Sequence, residues 1–189
     1  MKLIAGLGNK DPEYAGTRHN IGFDFLDHMA EKLKFEFDSK NKFAVSAEKT
    51  IRSEKVVFIK PLTYMNLSGK AVVFWAGKNK IPPENILVVH DDMDIEFGTA
   101  KIKIGGGAAG HNGIMDITQR LNTPEFVRLR IGVGRPRLRG KSTDHVLGRF
   151  SEEEAEEIKK LFEQLEDFVM NFVHMGYAKA AGRFKITRD

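Results

Sequence analysis

The spacing of apolar residues changes several times along this chain, and each change marks an element. Lys2–Leu7 is almost continuously apolar and ends in Gly6-Leu7-Gly8-Asn9, which predicts a short buried strand. Ile21, Phe25, Met29 and Leu33 then recur at every fourth position, with Leu26 and Ala30 beside them, so residues 20–34 are predicted to form an amphipathic helix. Phe43–Glu48 and Lys55–Lys60 read as two strands joined by a polar turn, the second ended by Pro61. Ser68 is placed to cap a helix running to about Lys78 that buries Ala71, Val72 and Trp75. Pro82-Pro83 breaks the chain before Ile86–His90, an unbroken apolar run suited to a central strand. Lys101–Ile104 alternates and runs into glycines, Asn112–Leu121 reads as a helix, and Phe126–Val133 as another strand. Ser151 and Glu154 have the spacing of a capping box, after which Ala155, Ile158, Leu161, Phe162, Leu165, Phe168, Val169 and Phe172 keep helical spacing. Strands alternating with helices, with one or two hairpins between them, predict an α/β layered domain with a mixed sheet.

At 189 residues one domain spanning 1–189 is the expected organisation, and no repeat, linker or low-complexity stretch divides it. No apolar run approaches the roughly 18 residues of a membrane span, and Met1 leads directly into the first strand, so the expectation is a cytosolic chain without a signal peptide or membrane association. The absence of cysteine excludes disulfides, thiolate zinc sites, iron–sulfur clusters and a cysteine nucleophile. The net charge of +4 is unevenly spread. Lys101 to Arg149 carries ten basic and three acidic residues, whereas Ser151 to Asp167 carries two basic and eight acidic ones. A basic segment of this density suits a polyanion, nucleic acid first, or else a solvated face. Its least regular part, Gly134–Ser142, reads as a mobile basic loop.

The candidate chemistry is narrowed by what the motifs lack. Gly6-Leu7-Gly8 has Asp11 where a dinucleotide fingerprint needs glycine, and no Gly-Lys-Ser/Thr follows the Gly105–Gly110 run, so neither is a standard nucleotide loop. That run is either a turn before the next helix or a place where a ligand approaches backbone. Asp91-Asp92-Met93-Asp94 has Phe97 where a calcium loop needs glycine, so one carboxylate orienting a histidine is a more economical use than a metal site. No Gly-x-Ser-x-Gly elbow is present. Asn9, His19, Asn66, Asp91 and Asn112 all fall at ends of predicted elements, where open α/β sheets place ligands. Together they would supply a base, its orienting acid and amide donors, and a His–Asp pair without a nucleophile suits activation of water. His90 and His111 are rival bases, His90 packing at a strand end and His111 orienting neighbours or touching substrate. An RNA-binding module and a divalent-metal esterase remain alternatives on the residues alone.

Several segments in this order resemble the bacterial peptidyl-tRNA hydrolase family over nearly the whole chain. They are Gly6-Leu7-Gly8-Asn9 with Tyr14, Thr17-Arg18-His19-Asn20-Ile21-Gly22, Lys60-Pro61 with Tyr64-Met65-Asn66-Leu67-Ser68-Gly69, His90-Asp91, Gly105-Gly106-Gly107 with Gly110-His111-Asn112-Gly113, and Arg128-Leu129-Arg130-Ile131-Gly132. The resemblance implies a monomeric α/β fold with a twisted mixed sheet flanked by helices, without metal or organic cofactor. It implies cleavage of the ester between a peptide and the 3′ ribose of tRNA, recycling tRNA from stalled or aborting ribosomes. By the same match His19 is the general base, Asp91 its supporting acid, and Asn9 the residue that helps tell blocked from free aminoacyl ends. Tyr14, Tyr64, Asn66 and Asn112 match positions that contact substrate or tRNA, at its acceptor stem and CCA end, and Lys103 and Arg130 match those that clamp its 5′-phosphate. The chain departs from the pattern at Lys10-Asp11, where Pro-Gly is usual, at Asp92, where Glu is more common, and at Met115, where Lys is usual. A nonhydrolytic RNA-binding relative of the same fold is the alternative within this resemblance, and the retained His19 and Asp91 favour the enzyme.

Overall fold

Leu3 and Ile4 are adjacent and fully buried, yet they belong to different cores. They lie on β1 (Lys2–Gly6), whose successive side chains point to opposite faces of a sheet covered on both sides. The computed structural model describes residues 1–136 and 140–187. Among these residues a sheet runs in the order β2 (Ser39–Lys40), β3 (Ala44–Ile51), β4 (Glu54–Pro61), β1, β5 (Ile86–Asp92), β7 (Val127–Gly132), β6 (Ala100–Ile104). The β4, β1, β5 and β7 strands are parallel, while β2, β3 and β6 make the antiparallel pairings that render the sheet mixed. One face packs α1 (Ile21–Leu33) and the long α5 (Glu152–Met175), and the other packs α2 (Gly69–Lys78) and α3 (Asn112–Leu121). Two short helices, α4 (Ser142–Leu147) and α6 (Tyr177–Ala181), complete the described chain. No helix of the described residues is long and apolar enough to cross a membrane.

Most predicted elements occur, and the differences have local causes. β3 extends to Ile51 because Arg52 and Ser53 both take positive φ, forming a tight turn whose twist suits the hairpin. Ser68 does not cap α2. Its hydroxyl donates to the carbonyl of Met65 at 2.8 Å, and the Gly69 N–H is accepted by the Asp116 carboxylate of α3 at 2.8 Å. The capping box at Ser151 and Glu154 is present. The Gly134–Ser142 segment includes 137–139, which lie outside the described residues, and Ser142 opens α4 instead of ending a loop.

Two glycines set how closely α1 approaches the sheet. A Cβ on Gly6 would lie 2.2 Å from the Gly22 carbonyl oxygen, and one on Gly22 would lie 2.4 Å from the Leu7 nitrogen and 2.5 Å from the Val89 oxygen. Only glycine allows this contact, which carries the turn before α1 onto the C-terminal ends of β1 and β5. Those neighbouring strands continue in opposite directions along the sheet, β1 toward β4 and β5 toward β7. A crevice at such a reversal is where open α/β sheets bind ligands.

Asp24, in the first turn of α1, is pushed up to about 6, by burial first and then by Asp27, against the pull of Lys60. With the folded value raised above the ordinary 3.8, deprotonation costs the folded state, so this site removes stability as pH rises from about 4 to about 6. Asp24→Asn is expected to raise stability at pH 7–8 by about 1–2 kcal/mol, after allowance for partial exposure, and to leave it unchanged near pH 4. Chemical denaturation at the two pH values checks this.

Candidate active site

A cleft of about 250 Å³ opens over the ends of β1 and β5. Asn9, just past β1, His19, on the single turn Arg18–Asn20, and Asp91, near the end of β5, converge there. Asn112 and His111 reach it from the start of α3, together with Ala108, Ala109 and Gly110 of the glycine-rich loop. Met65, Met93 and, from α4, Val146 and Leu147 supply its apolar lining.

The centre of the cleft is the Asp91 carboxylate, only 3% exposed. It accepts from His19 Nδ1 at 2.9 and 3.0 Å and from His111 Nε2 at 3.0 Å. Burial alone would push the carboxyl up; the contact with His111, followed by that with His19, holds it well below the usual carboxylate range. Proton positions follow from obligatory donors. The Ile114 backbone N–H donates to His111 Nδ1 at 3.3 Å, capping α3, so the His111 proton sits on Nε2 and faces Asp91. Both nitrogens of His111 are thereby engaged. His19 gives its Nδ1 proton to Asp91, leaving Nε2 as its basic atom. His90 is 3% exposed, donates from Nδ1 to the Asp91 carbonyl at 2.7 Å, and is held neutral, by burial first, well below the usual histidine range. Of the three rivals, His19 alone has a ring nitrogen suited to take a proton in the cleft.

The side-chain atoms of His19, Asp91 and His111 lie within 4.8 Å of one another, close enough to be weighed as a metal site. The His111 atom facing Asp91 carries a proton and donates it, so the set is built as a hydrogen-bonded array and lacks the lone pair a cation would need there.

Asn9 is held by three hydrogen bonds. Its backbone N–H donates to Asn20 Oδ1 at 2.8 Å, its carbonyl accepts from Asn20 Nδ2 at 2.9 Å, and its Oδ1 accepts from the Met65 N–H at 3.1 Å. The last contact fixes the amide orientation, leaving Nδ2 as a donor. Asn20 stands in the Thr17–Gly22 segment that carries the family resemblance, but its spacing alone does not mark it for this role. On the opposite wall, α4 is tied to the turn bearing His19. Arg18 N–H donates to the Gly148 carbonyl at 3.0 Å, its Nη1 to the Arg149 carbonyl at 2.8 Å, and its Nη2 to both oxygens of Glu154 at 2.8 Å.

The other predicted residues lie around the rim or on the sheet. Tyr64 is 59% exposed, with the Lys10 ammonium 5.7 Å from its ring centre. Tyr14 and Asn66 also lie outside the cleft lining, and Asn66 is exposed. Lys103 stands directly opposite Arg128, and Lys101 opposite Arg130, so all four share one face of β6 and β7. They do not form a patch of four free cations. Arg128 is 2% exposed and donates to the carbonyls of Gly106 and Gly107, while Arg130 Nε donates to Asp92 at 2.8 Å. Neither partner was evident from strand spacing, because both come from elsewhere in the chain.

The family described as peptidyl-tRNA hydrolase matches residues 3–189. Relatives of that name include one from Clostridium novyi, 41% identical over 97% of both chains, and one from Caldanaerobacter subterraneus, 42% identical over 97% of this chain and 99% of the relative. Among solved structures, a peptidyl-tRNA hydrolase from Acinetobacter baumannii superposes with a TM-score of 0.92 at 35% identity, over 100% of this chain and 96% of that one.

Proposed function

The chain belongs to the peptidyl-tRNA hydrolase family, and on that premise we propose that His19, held by Asp91, activates water to cleave the ester joining a peptide to the 3′ ribose of tRNA. The protein is an ester hydrolase acting on peptidyl-tRNA. The observation that carries the mechanism is the buried Asp91 carboxylate on His19 Nδ1, which leaves Nε2 to accept a proton. Water gives that proton to Nε2 and attacks the ester carbonyl carbon. Asp91 stabilises the resulting imidazolium. The oxyanion accepts from an amide donor, for which Asn112 in the cleft lining is better placed than Asn66 outside it. Collapse expels the ribose oxygen, which recovers the proton from His19. No step needs a covalent enzyme intermediate, a metal or another cofactor.

Asn9 acts on substrate choice. Its Nδ2 donor suits the amide carbonyl of a blocked amino group and offers nothing to a free ammonium. Tyr14 and Tyr64 present aromatic faces for the unpaired CCA end, and Asn66 adds a polar contact at the rim. We place the protein in the cytoplasm, acting as a monomer of one domain that returns tRNA from peptides dropped by stalled or aborting ribosomes. The test is incubation of purified protein with N-acetylated and free aminoacyl-tRNA, with and without EDTA. The expected result is rapid cleavage of the acetylated form alone, unaffected by EDTA. Tight RNA binding without turnover, or loss of turnover in EDTA, contradicts the reading.

Lys103 and Arg130 are assigned to the 5′-phosphate, at the end of the acceptor stem from which the unpaired CCA projects. Lys103→Ala is expected to raise KM for peptidyl-tRNA with little change in kcat, and to flatten the log–log salt slope by about 0.7–0.9. A minimal substrate without the tRNA body should be cleaved unchanged. Arg130→Ala is a less clean test, since it also strands the buried Asp92 carboxylate. Steady-state kinetics across a salt series checks the Lys103 variant.

A further inference from the structure

We propose that Arg128 is a positioning residue for the active site: it straps the glycine-rich loop to the sheet and thereby places His111 and Asn112. This deepens the hydrolase reading and rests on it. Arg128 lies in the basic face of β7 and by sequence would pass for a phosphate contact. Its placement excludes that use. It is 2% exposed, its guanidinium lies 4.8 Å from the Phe126 ring centre, and each Nη already donates to a backbone carbonyl. Nη2 donates to the Gly106 carbonyl and Nη1 to the Gly107 carbonyl, each at 2.8 Å. Two consecutive carbonyls met by one planar fork fix the direction of the loop as well as its distance.

The loop needs such an anchor. Gly105, Gly106 and Gly110 all take positive φ, at +70°, +80° and +80°, and glycine leaves the backbone free to leave those values. From Gly107 the chain turns at Ala108, whose carbonyl accepts from the His111 N–H at 2.9 Å, and then enters the cleft. His111 holds Asp91, which holds His19, and Asn112 faces the same space. An error in the loop is therefore passed to the oxyanion donor and to one of the two donors on the central carboxylate.

The test uses Arg128→Lys, which keeps the charge and loses the fork, beside Arg128→Gln. Positioning predicts that Arg128→Lys lowers kcat about tenfold and Arg128→Gln lowers it further, with the salt slope of tRNA binding unchanged. It also predicts that amide hydrogen exchange accelerates over residues 105–112 while α5 keeps its protection. A phosphate contact predicts the reverse: near-normal kcat in Arg128→Lys, and a raised KM with a flatter salt slope in Arg128→Gln. Either that pattern, or exchange rising equally throughout the molecule, overturns the proposal. If Arg128→Gln fails to fold, Arg128→Lys decides the question alone. If the parent protein cleaves no peptidyl-tRNA, the function fails while the exchange measurement still tests the strap.

Discussion

Peptidyl-tRNA cleavage by the His19→Ala variant is expected to fall about 10²–10⁴-fold in kcat, with tRNA affinity and unfolding midpoint near those of the parent. The size follows from the removal of a general base that neighbouring histidines cannot replace. His111 has its Nδ1 occupied by the Ile114 N–H and its Nε2 proton committed to Asp91, and His90 is buried away from the cleft lining. The His19 side chain is only 14% exposed, but among the described residues it hydrogen-bonds to Asp91 alone, and it belongs to neither core, so its loss leaves both intact. Single-turnover kinetics with saturating enzyme separates chemistry from binding. A variant cleaving at the parental rate would remove His19 from the mechanism.

Asp91→Asn is expected to be similarly damaging, about 10²–10⁴-fold in kcat, for a different reason. His19 Nδ1 lies within hydrogen-bond distance of both carboxylate oxygens and His111 Nε2 within reach of Oδ1, so either orientation of an amide turns its NH₂ toward an imidazole N–H. The NH₂ end must face an N–H donor unless that histidine changes tautomer. If His19 changes, its proton moves to Nε2 and the base is lost. If His111 changes, it surrenders the cap on α3, which accepts from Ile114 N–H. Imidazole nitrogen NMR reads the outcome: the parent should show His19 protonated at Nδ1, and the variant a shift of proton position at His19 or His111. Unchanged tautomers with a full rate would contradict the paired arrangement.

Much of this was legible in the sequence, because it depends on local patterns. Ile86–His90 announces a buried strand by its apolar run, Ser151 with Glu154 announces a helix start, and residues with useful chemistry cluster where predicted strands end. The sheet itself then brings Asn9, His19 and Asp91 together, and the Gly6–Gly22 contact makes their close approach possible. What was not legible depends on partners distant in the chain. Ser68 is a good capping residue by type, but Asp116 reaches the Gly69 N–H from another helix. Arg128 and Arg130 look alike at two-residue spacing, but one is buried under the glycine loop and the other is paired to Asp92. The α4 wall is six residues long, too short for an apolar period to declare itself, and β2 has two residues. Asn66 and Asn112 are both amides at element ends, and only the folded chain separates the one in the cleft from the one on the rim.

The mechanism as a whole is tested most directly by one turnover of N-acetyl-aminoacyl-tRNA, labelled in the acyl group, in ¹⁸O water with enzyme in excess and acid quenching. Attack of His19-activated water on the ester carbonyl predicts one ¹⁸O in the released carboxylate, none in the tRNA 3′-hydroxyl, and no acyl label on the protein at any quench time. Acyl label retained on the protein, or ¹⁸O in the ribose hydroxyl, would contradict it.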